Sequence, residues 1–245
     1  MFESMRAFWL AFARASLGGT TFERPGVWAA IAPAMPDRSV VNCVVYDELT
    51  HLDAALDDLA AAYDRAGVNA WTVWVDSLDE EAQALLDDAG HVLDAAPMGQ
   101  ELDLSGVDAP AASELDLVDA PAPSDFGPVI EAAYGWRGFG DALRQFPTGL
   151  RPYLARHDGL PASCLAIWDW GEDAHVQMVG TIPEARGLGL ATRLLRVALA
   201  DARDRGCTVS RLQATRMGRP VYARMGYRDL RPVQMWERRK PAPAG

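Results

Sequence analysis

Val179-Gly180-Thr181-Ile182-Pro183-Glu184-Ala185-Arg186-Gly187-Leu188-Gly189-Leu190-Ala191 joins an apolar run to a helix through a basic, glycine-bearing turn. That composition suits an anion. Gly187 and Gly189 carry no side chain that would hold a ligand off the backbone, and the first N–H groups of a helix starting near Leu188 have no intrahelical acceptor. Those groups, with the positive end of the helix dipole, attract negative charge. Arg186 adds a permanent cation with a fork of donors. The competing reading is an ordinary strand-to-helix turn whose glycines serve geometry alone. Other phosphate loops fit less well: a dinucleotide fingerprint needs glycine where the chain has Thr192, and a P-loop ends in Gly-Lys-Ser/Thr, whereas the single lysine is Lys240.

The order of elements after this turn narrows the reading. Ala191, Leu194, Leu195, Ala198 and Ala202 fall on one helical face, Arg193, Arg196, Arg203 and Asp204 lie elsewhere, and Gly206 supplies a stop. An extended run follows from Thr208 to Thr215. A short helical segment then contains Arg219 to Tyr227, with Pro220 tolerable only in the first turn and Gly226 at the C-terminal end. Residues 232–238 read as a last strand. The spacing Arg186-x-x-Gly189-x-Ala191 resembles the Gln/Arg-x-x-Gly-x-Gly/Ala signature of the GNAT N-acetyltransferase superfamily. Tyr222-x-x-x-Gly226-Tyr227 resembles that family's Tyr-x-x-x-Gly-Phe/Tyr element, at the family's usual distance from the anion turn.

The resemblance implies an α/β (α+β) fold, a mixed and mostly antiparallel sheet flanked by helices, and acetyl-CoA as co-substrate. It implies transfer of the acetyl group to a primary amine of a small molecule or peptide by direct attack on the thioester. The diphosphate would lie on Arg186, Gly187, Leu188, Gly189, Leu190, Ala191 and Thr192. Pantetheine and the thioester oxygen would meet the exposed backbone of Val179, Gly180 and Thr181. Thr215 stands where many relatives carry an asparagine that contacts the cofactor. Tyr222 maps to the tyrosine that protonates or stabilises the departing thiolate; with reference values of about 10 for a phenol and about 8.5 for a thiol, positioned hydrogen bonding matters as much as acidity. The competing reading of Tyr222 is a buried tyrosine whose hydroxyl is merely satisfied.

His175 occupies the strand position where some relatives place a catalytic glutamate, and histidine titrates near neutral pH. Asp173, Glu131 and a bound water are rivals for the base. Trp136, Trp168 and Trp170, with Asp169, Glu172 and Asp173, are candidates to line a cation-binding acceptor pocket. Trp168 and Trp170 alternate on one strand face, which favours core packing. A reading from a different class is a catalytically silent acyl-CoA-binding or interaction protein with the same fold.

With 34 acidic against 23 basic residues, the formal net charge of −11 disfavours a nucleic-acid or anionic-membrane surface. Cys43, Cys164 and Cys207 are isolated, and the four histidines show no paired ligand spacing, so neither a disulfide framework nor a metal site is expected. The apolar run Ala7–Ala13 is too short for a membrane span and reads as an amphipathic helix. The expected setting is cytoplasmic, with acetyl-CoA and an amine as partners and an oligomer left open.

Residues 105–113 read as a linker, dividing residues 1–104 from a catalytic segment 114–239 and a tail 240–245. In the first part, helix Leu56–Arg65, strand Ala70–Val75, helix Glu80–Asp88 and strand Met98–Leu104 repeat the order seen after Leu190. Asp64-Arg65-Ala66-Gly67 parallels Asp204-Arg205-Gly206, and Ala89-Gly90 parallels Met225-Gly226, at offsets of about 140 and about 136 residues. This suggests a degenerate internal duplication, hence tandem GNAT-like domains. At the position of the anion turn the first part carries Tyr46-Asp47-Glu48-Leu49, whose carboxylates would repel a diphosphate, and Leu86 stands at the position of Tyr222. The second part is expected to run strand 115–118, helix Asp125–Tyr134, a further helix 139–146, strands 152–157 and Ala162–Trp170 joined by Asp158-Gly159, and strand 174–182.

Overall fold

Alternating apolar and polar stretches resolve into seven helices and twelve strands among the described residues of a computed structural model, which covers residues 1–108, 110 and 115–241. Parts of the expected linker (109, 111–113) and tail (242–245), and Glu114, lie outside the described residues. In chain order the elements are α1 (Phe2–Ala15), β1 (Thr20–Arg24), β2 (Val27–Ile31), β3 (Cys43–Tyr46), α2 (Leu49–Arg65), β4 (Ala70–Asp76), α3 (Glu80–Asp88), β5 (Val92–Ala95) and β6 (Met98–Asp103). They continue with β7 (Asp116–Leu117), α4 (Pro123–Tyr134), α5 (Phe139–Ala142), β8 (Leu150–His157), β9 (Leu160–Trp170), β10 (Asp173–Thr181), α6 (Leu190–Asp204), β11 (Val209–Ala214), α7 (Arg219–Arg224) and β12 (Arg228–Arg239). The chain forms two compact units, one of residues 1–98 with 231–245, the other of residues 99–230.

The first unit is a mixed sheet in the order β1-β2-β3-β4-β12, antiparallel except for β3 against β4. Helix α2 makes the parallel crossover and buries Leu52, Ala55, Leu59 and Tyr63, a three-and-four spacing that puts one apolar stripe on the sheet. The Tyr63 hydroxyl donates to the Ala30 carbonyl at 3.1 Å, so burying this phenol leaves no orphan. Asp79 caps α3 by accepting the Ala82 N–H at 3.0 Å. Helix α2 starts at Leu49, seven residues before the expected Leu56, and β1, β2, β3 and β5 were not read from the sequence. Strand β12 pairs with β4 from Val233↔Asp76 to Arg239↔Ala70, so residues 231–239, read in sequence as the end of the catalytic segment, belong to the first unit.

The second unit is a sheet in the order β6-β11-β10-β9-β8-β7. Strands β7, β8, β9 and β10 are successively antiparallel, and β10 runs parallel to β11 through the crossover helix α6. The β8–β9 hairpin turns on Asp158 (φ 51°) and Gly159 (φ 77°), the pair of left-handed residues a tight primed turn requires. Helix α6 buries Leu194, Leu195, Ala198, Leu199 and Ala202 against the sheet. Each such leucine is worth about 1.5–3 kcal/mol relative to exposure. Helix α4 packs on α5 backbone to backbone: a Cβ on Gly127 would lie 3.2 Å from Gly140 Cα. The expected helix 139–146 is only the single turn α5, because Leu143 turns to an extended conformation. The crossovers β3–α2–β4 and β10–α6–β11 share one pattern, an antiparallel meander closing on a parallel pair.

Candidate active site

Strands β10 and β11 pair from Asp173↔Val209 only as far as His175↔Arg211. Beyond that register the two strands part. On its other side β10 keeps its pairing with β9, interrupted by a bulge between Gln177 and Gly180. Met178 sits in that bulge at φ 53°, an unusual conformation for a residue with a long side chain, held by the strand pairing around it. Below the bulge, Ser163 Oγ donates to the Gly180 carbonyl at 3.1 Å. A Cβ on Gly180 would come within 3.3 Å of Ala133 Cβ, so the strand lies close beneath α4. The parting of β10 and β11 opens a cavity of about 460 Å³.

The anion turn stands at one end of this cavity. A 3-10 turn, Pro183–Ala185, carries the chain from β10, and Gly187 (φ 80°) and Gly189 (φ 75°) place the N-terminus of α6. Both glycines sit where an L side chain is strained. At Gly189 a Cβ would also meet Arg193 Nη1 at 3.2 Å, whereas Gly187 faces open space. Backbone bonding runs through the Arg186 N–H to the Pro183 carbonyl and resumes with the Arg193 N–H to the Gly189 carbonyl. The first-turn N–H groups of Leu190, Ala191 and Thr192 have no acceptor within an α-helix. Arg186 Nε donates to the Thr181 carbonyl at 3.3 Å, tying the cation to the end of β10.

Tyr222 lies in the wall of the same cavity, on α7. Its position depends on Gly218 and Thr215. The Gly218 N–H donates to Thr215 Oγ1 at 3.1 Å, and a Cβ on Gly218 would lie 2.9 Å from the Tyr222 ring. Burial pushes the Tyr222 phenol above its ordinary range, so it is a protonated donor at any physiological pH. A second phenol, Tyr134, ends α4 beside Gly135 and donates its O–H to the Val179 carbonyl.

The cavity brings together Val179, Gly180, Thr181, Arg186, Gly187, Gly189, Leu190, Ala191, Thr192, Thr215 and Tyr222. Leu188 is 44% exposed and lies outside its lining, and the buried His175 lies outside it as well. The His175 ring is fully buried, with Nε2 3.1 Å from Gln213 Oε1, and burial pulls its pKa down to about 4. Of its rivals, Asp173 is buried against Arg211 Nη1 at 3.3 Å, and Glu131 is an exposed residue of α4 facing Arg137. None of the three tryptophans lines the cavity. Trp168 is core, Trp170 at the strand end is 42% exposed, and Trp136 packs between Tyr134 and Phe139. Sequence reasoning missed Tyr134, Gln177, Gln213 and Gly218. Only Gly218, just ahead of a Pro-initiated helix, carried a local signal. Among the described residues no group of three His, Cys, Asp or Glu side chains is arranged to hold a metal ion, and no helix is long and apolar enough to cross a membrane.

Residues 116–227 match the Acetyltransferase (GNAT) family. No curated protein sequence matches the chain. Among solved structures, the chain is similar to a GCN5-related N-acetyltransferase from Kribbella flavida at 17% identity and a TM-score of 0.67, covering 99% of this chain and 95% of that one. It is similar to an acetyltransferase of the same family from Novosphingobium aromaticivorans at 18% identity and 0.60, covering 94% and 97%. A tandem GNAT protein from the clavulanic acid biosynthesis pathway aligns at 16% identity and 0.57, covering 99% and 96%. At these identities the likeness is one of fold.

Proposed function

From the match of residues 116–227 to the GNAT acetyltransferase family, we propose that the chain is an acetyl-CoA-dependent N-acetyltransferase that acylates a primary amine of a small molecule or peptide. One observation carries this reading: a single cavity holds a glycine-flanked helix N-terminus, an unpaired length of strand edge and a protonated phenol. Each meets a different part of acetyl-CoA. The diphosphate docks on Arg186 and the backbone from Gly187 to Thr192, with Leu188 contributing its N–H rather than its side chain. Pantetheine extends along Val179, Gly180 and Thr181, and Thr215 shapes the wall next to Tyr222.

The chemistry then needs few groups. The neutral amine attacks the thioester carbonyl carbon, its N–C bond forms as the C=O π pair moves to oxygen, and a tetrahedral oxyanion results. Backbone N–H groups of β10 stabilise that charge. When the oxyanion re-forms the carbonyl, the C–S bond breaks and its electron pair leaves on sulfur, where the Tyr222 O–H meets it. The surplus ammonium proton leaves to water. A buried imidazole of pKa about 4, outside the cavity lining, is poorly matched to take it, so we assign His175 no direct base role. The acceptor approaches a site of cytoplasmic type, without nucleic acid or membrane, in a monomer or an oligomer.

The test is a thermal-shift series with acetyl-CoA, coenzyme A, ATP and NAD, followed by a thiol-release assay over an amine panel. Acetyl-CoA should stabilise the protein and NAD should not. Stabilisation without thiol release on any amine would favour the alternative, a non-catalytic acyl-CoA-binding protein. The retention of a phenol beside the anion turn speaks for the enzyme.

A further inference from the structure

Gln213 stands at the root of the opening between β10 and β11, two residues past the last paired position on β11. Where backbone pairing ends, side chains take over: His175 Nε2 and Gln213 Oε1 lie 3.1 Å apart, bridging the two strands. The imidazole is neutral at physiological pH because burial disfavours its charged form, and since an amide oxygen only accepts, the contact assigns its single proton to Nε2, which donates to Gln213 Oε1. That bond fixes the plane of the Gln213 amide and turns its nitrogen away from His175. Gln213 lines the cavity, and its Nε2 is buried with no partner among the described residues. A buried donor without an acceptor costs about 1–3 kcal/mol, and native proteins seldom keep one without a use.

The cavity's own layout says which atom of a ligand that donor would meet. The anion turn lies past the C-terminal end of β10, and the root lies where β10 still pairs. A ligand anchored by its diphosphate at the turn and laid along β10 reaches the root with its far end, the acyl thioester. Resting on the acetyl-CoA reading above, we infer that Gln213 is a catalytic residue whose amide N–H donates to the thioester carbonyl oxygen, and that His175 is the positioning residue which aims it. The bond strengthens as that oxygen gains negative charge in the tetrahedral species, and it needs no proton transfer. The strand histidine therefore acts on the reaction through a neighbouring amide.

The test compares binding of acetyl-CoA with that of the S-ethyl thioether of coenzyme A, which has no carbonyl oxygen, by titration calorimetry. The unaltered protein should prefer acetyl-CoA by about fivefold or more. Gln213→Leu, close in volume, should bring that ratio near one while leaving affinity for coenzyme A within about twofold, which also shows that the site is folded. His175→Ala should lower the ratio in the same sense and reduce kcat more than it raises KM for acetyl-CoA. Gln213→Glu, which exchanges the donor for an acceptor, should turn the preference toward the thioether. A Gln213→Leu protein that keeps the full ratio, or a Gln213→Glu protein that prefers the thioester more strongly, overturns the inference and leaves the acetyl-CoA reading standing. Failure of the unaltered protein to bind coenzyme A or its derivatives overturns both.

Discussion

Tyr222 offers the sharpest single-atom test. If its hydroxyl hydrogen-bonds the departing thiolate, removing it forfeits a bond to a charged group, about 1.5–3 kcal/mol. Tyr222→Phe should therefore lower kcat about 10- to 100-fold with less than threefold change in acetyl-CoA affinity. Steady-state kinetics with parallel calorimetry separates these, and an unchanged kcat would remove the role. Gly218 is a second case. A methyl there meets the Tyr222 ring at 2.9 Å, so Gly218→Ala should displace the phenol and cut turnover while the anion turn still binds coenzyme A. In the first unit, His91 is buried edge-on to Trp71, with neither ring nitrogen hydrogen-bonded among the described residues, and burial pulls its pKa down to about 4. Its apolar replacement His91→Leu should stabilise the protein at pH 5, by about 1–2 kcal/mol in urea denaturation, since it removes an unsatisfied buried group.

At the scale of elements, the anion turn and α6 work as one device. The turn supplies N–H groups and a cation, and the helix supplies the dipole that aims them. Arg186→Glu reverses the charge beside the unpaired amides and should abolish most of the stabilisation by acetyl-CoA, read as the ligand-induced rise in Tm, while the Tm of the ligand-free protein changes little at this exposed site. The corresponding crossover in the first unit is closed from within. Its helix α2 begins directly after Asp47 and Glu48, the Asp47 N–H is bonded to the Gly26 carbonyl, and Asp47 pairs with His51 at 2.8 Å. Its carboxylates stand where an anion would have to approach, so no diphosphate site is expected there. Strand β12 is the other element with a testable weight. Ending the chain at Leu230 would strip β4 of a seven-residue antiparallel partner, and the first unit should then lose cooperative unfolding by circular dichroism.

For the molecule as a whole, ligand and proton linkage give the readouts. Acetyl-CoA at 100 times its Kd should add about 2.7 kcal/mol to stability. His91 and His175 both have folded pKa values near 4, below the ordinary 6.5 of an unfolded chain. Between these values the unfolded state binds more protons, so their contribution is fully present above about pH 6.5 and is lost as pH falls toward 4. Replacing His91 by Leu should flatten that slope by up to about one proton in urea midpoints taken from pH 7 to 4. An unchanged slope would mean that the ring is solvated in the native state.

The sequence by itself determined what neighbouring residues can determine. Gly187, Gly189 and the Asp158-Gly159 turn adopt the left-handed conformations their types favour, α6 buries the face its spacing marks out, and Tyr222 sits on the short helix whose first turn holds Pro220. Those features depend on backbone sterics and on periodicity within a few turns, so they are written locally. Tertiary structure alone decided where β10 and β11 stop pairing, the bulge at Met178, the meeting of Tyr134 with Val179, the bond between His175 and Gln213, and the pairing of residues 233–239 with β4. The bulge joins partners 11 to 16 positions apart and the others join residues from tens to more than a hundred positions apart, and such pairings follow from which edges and faces remain unsatisfied once the local elements have formed.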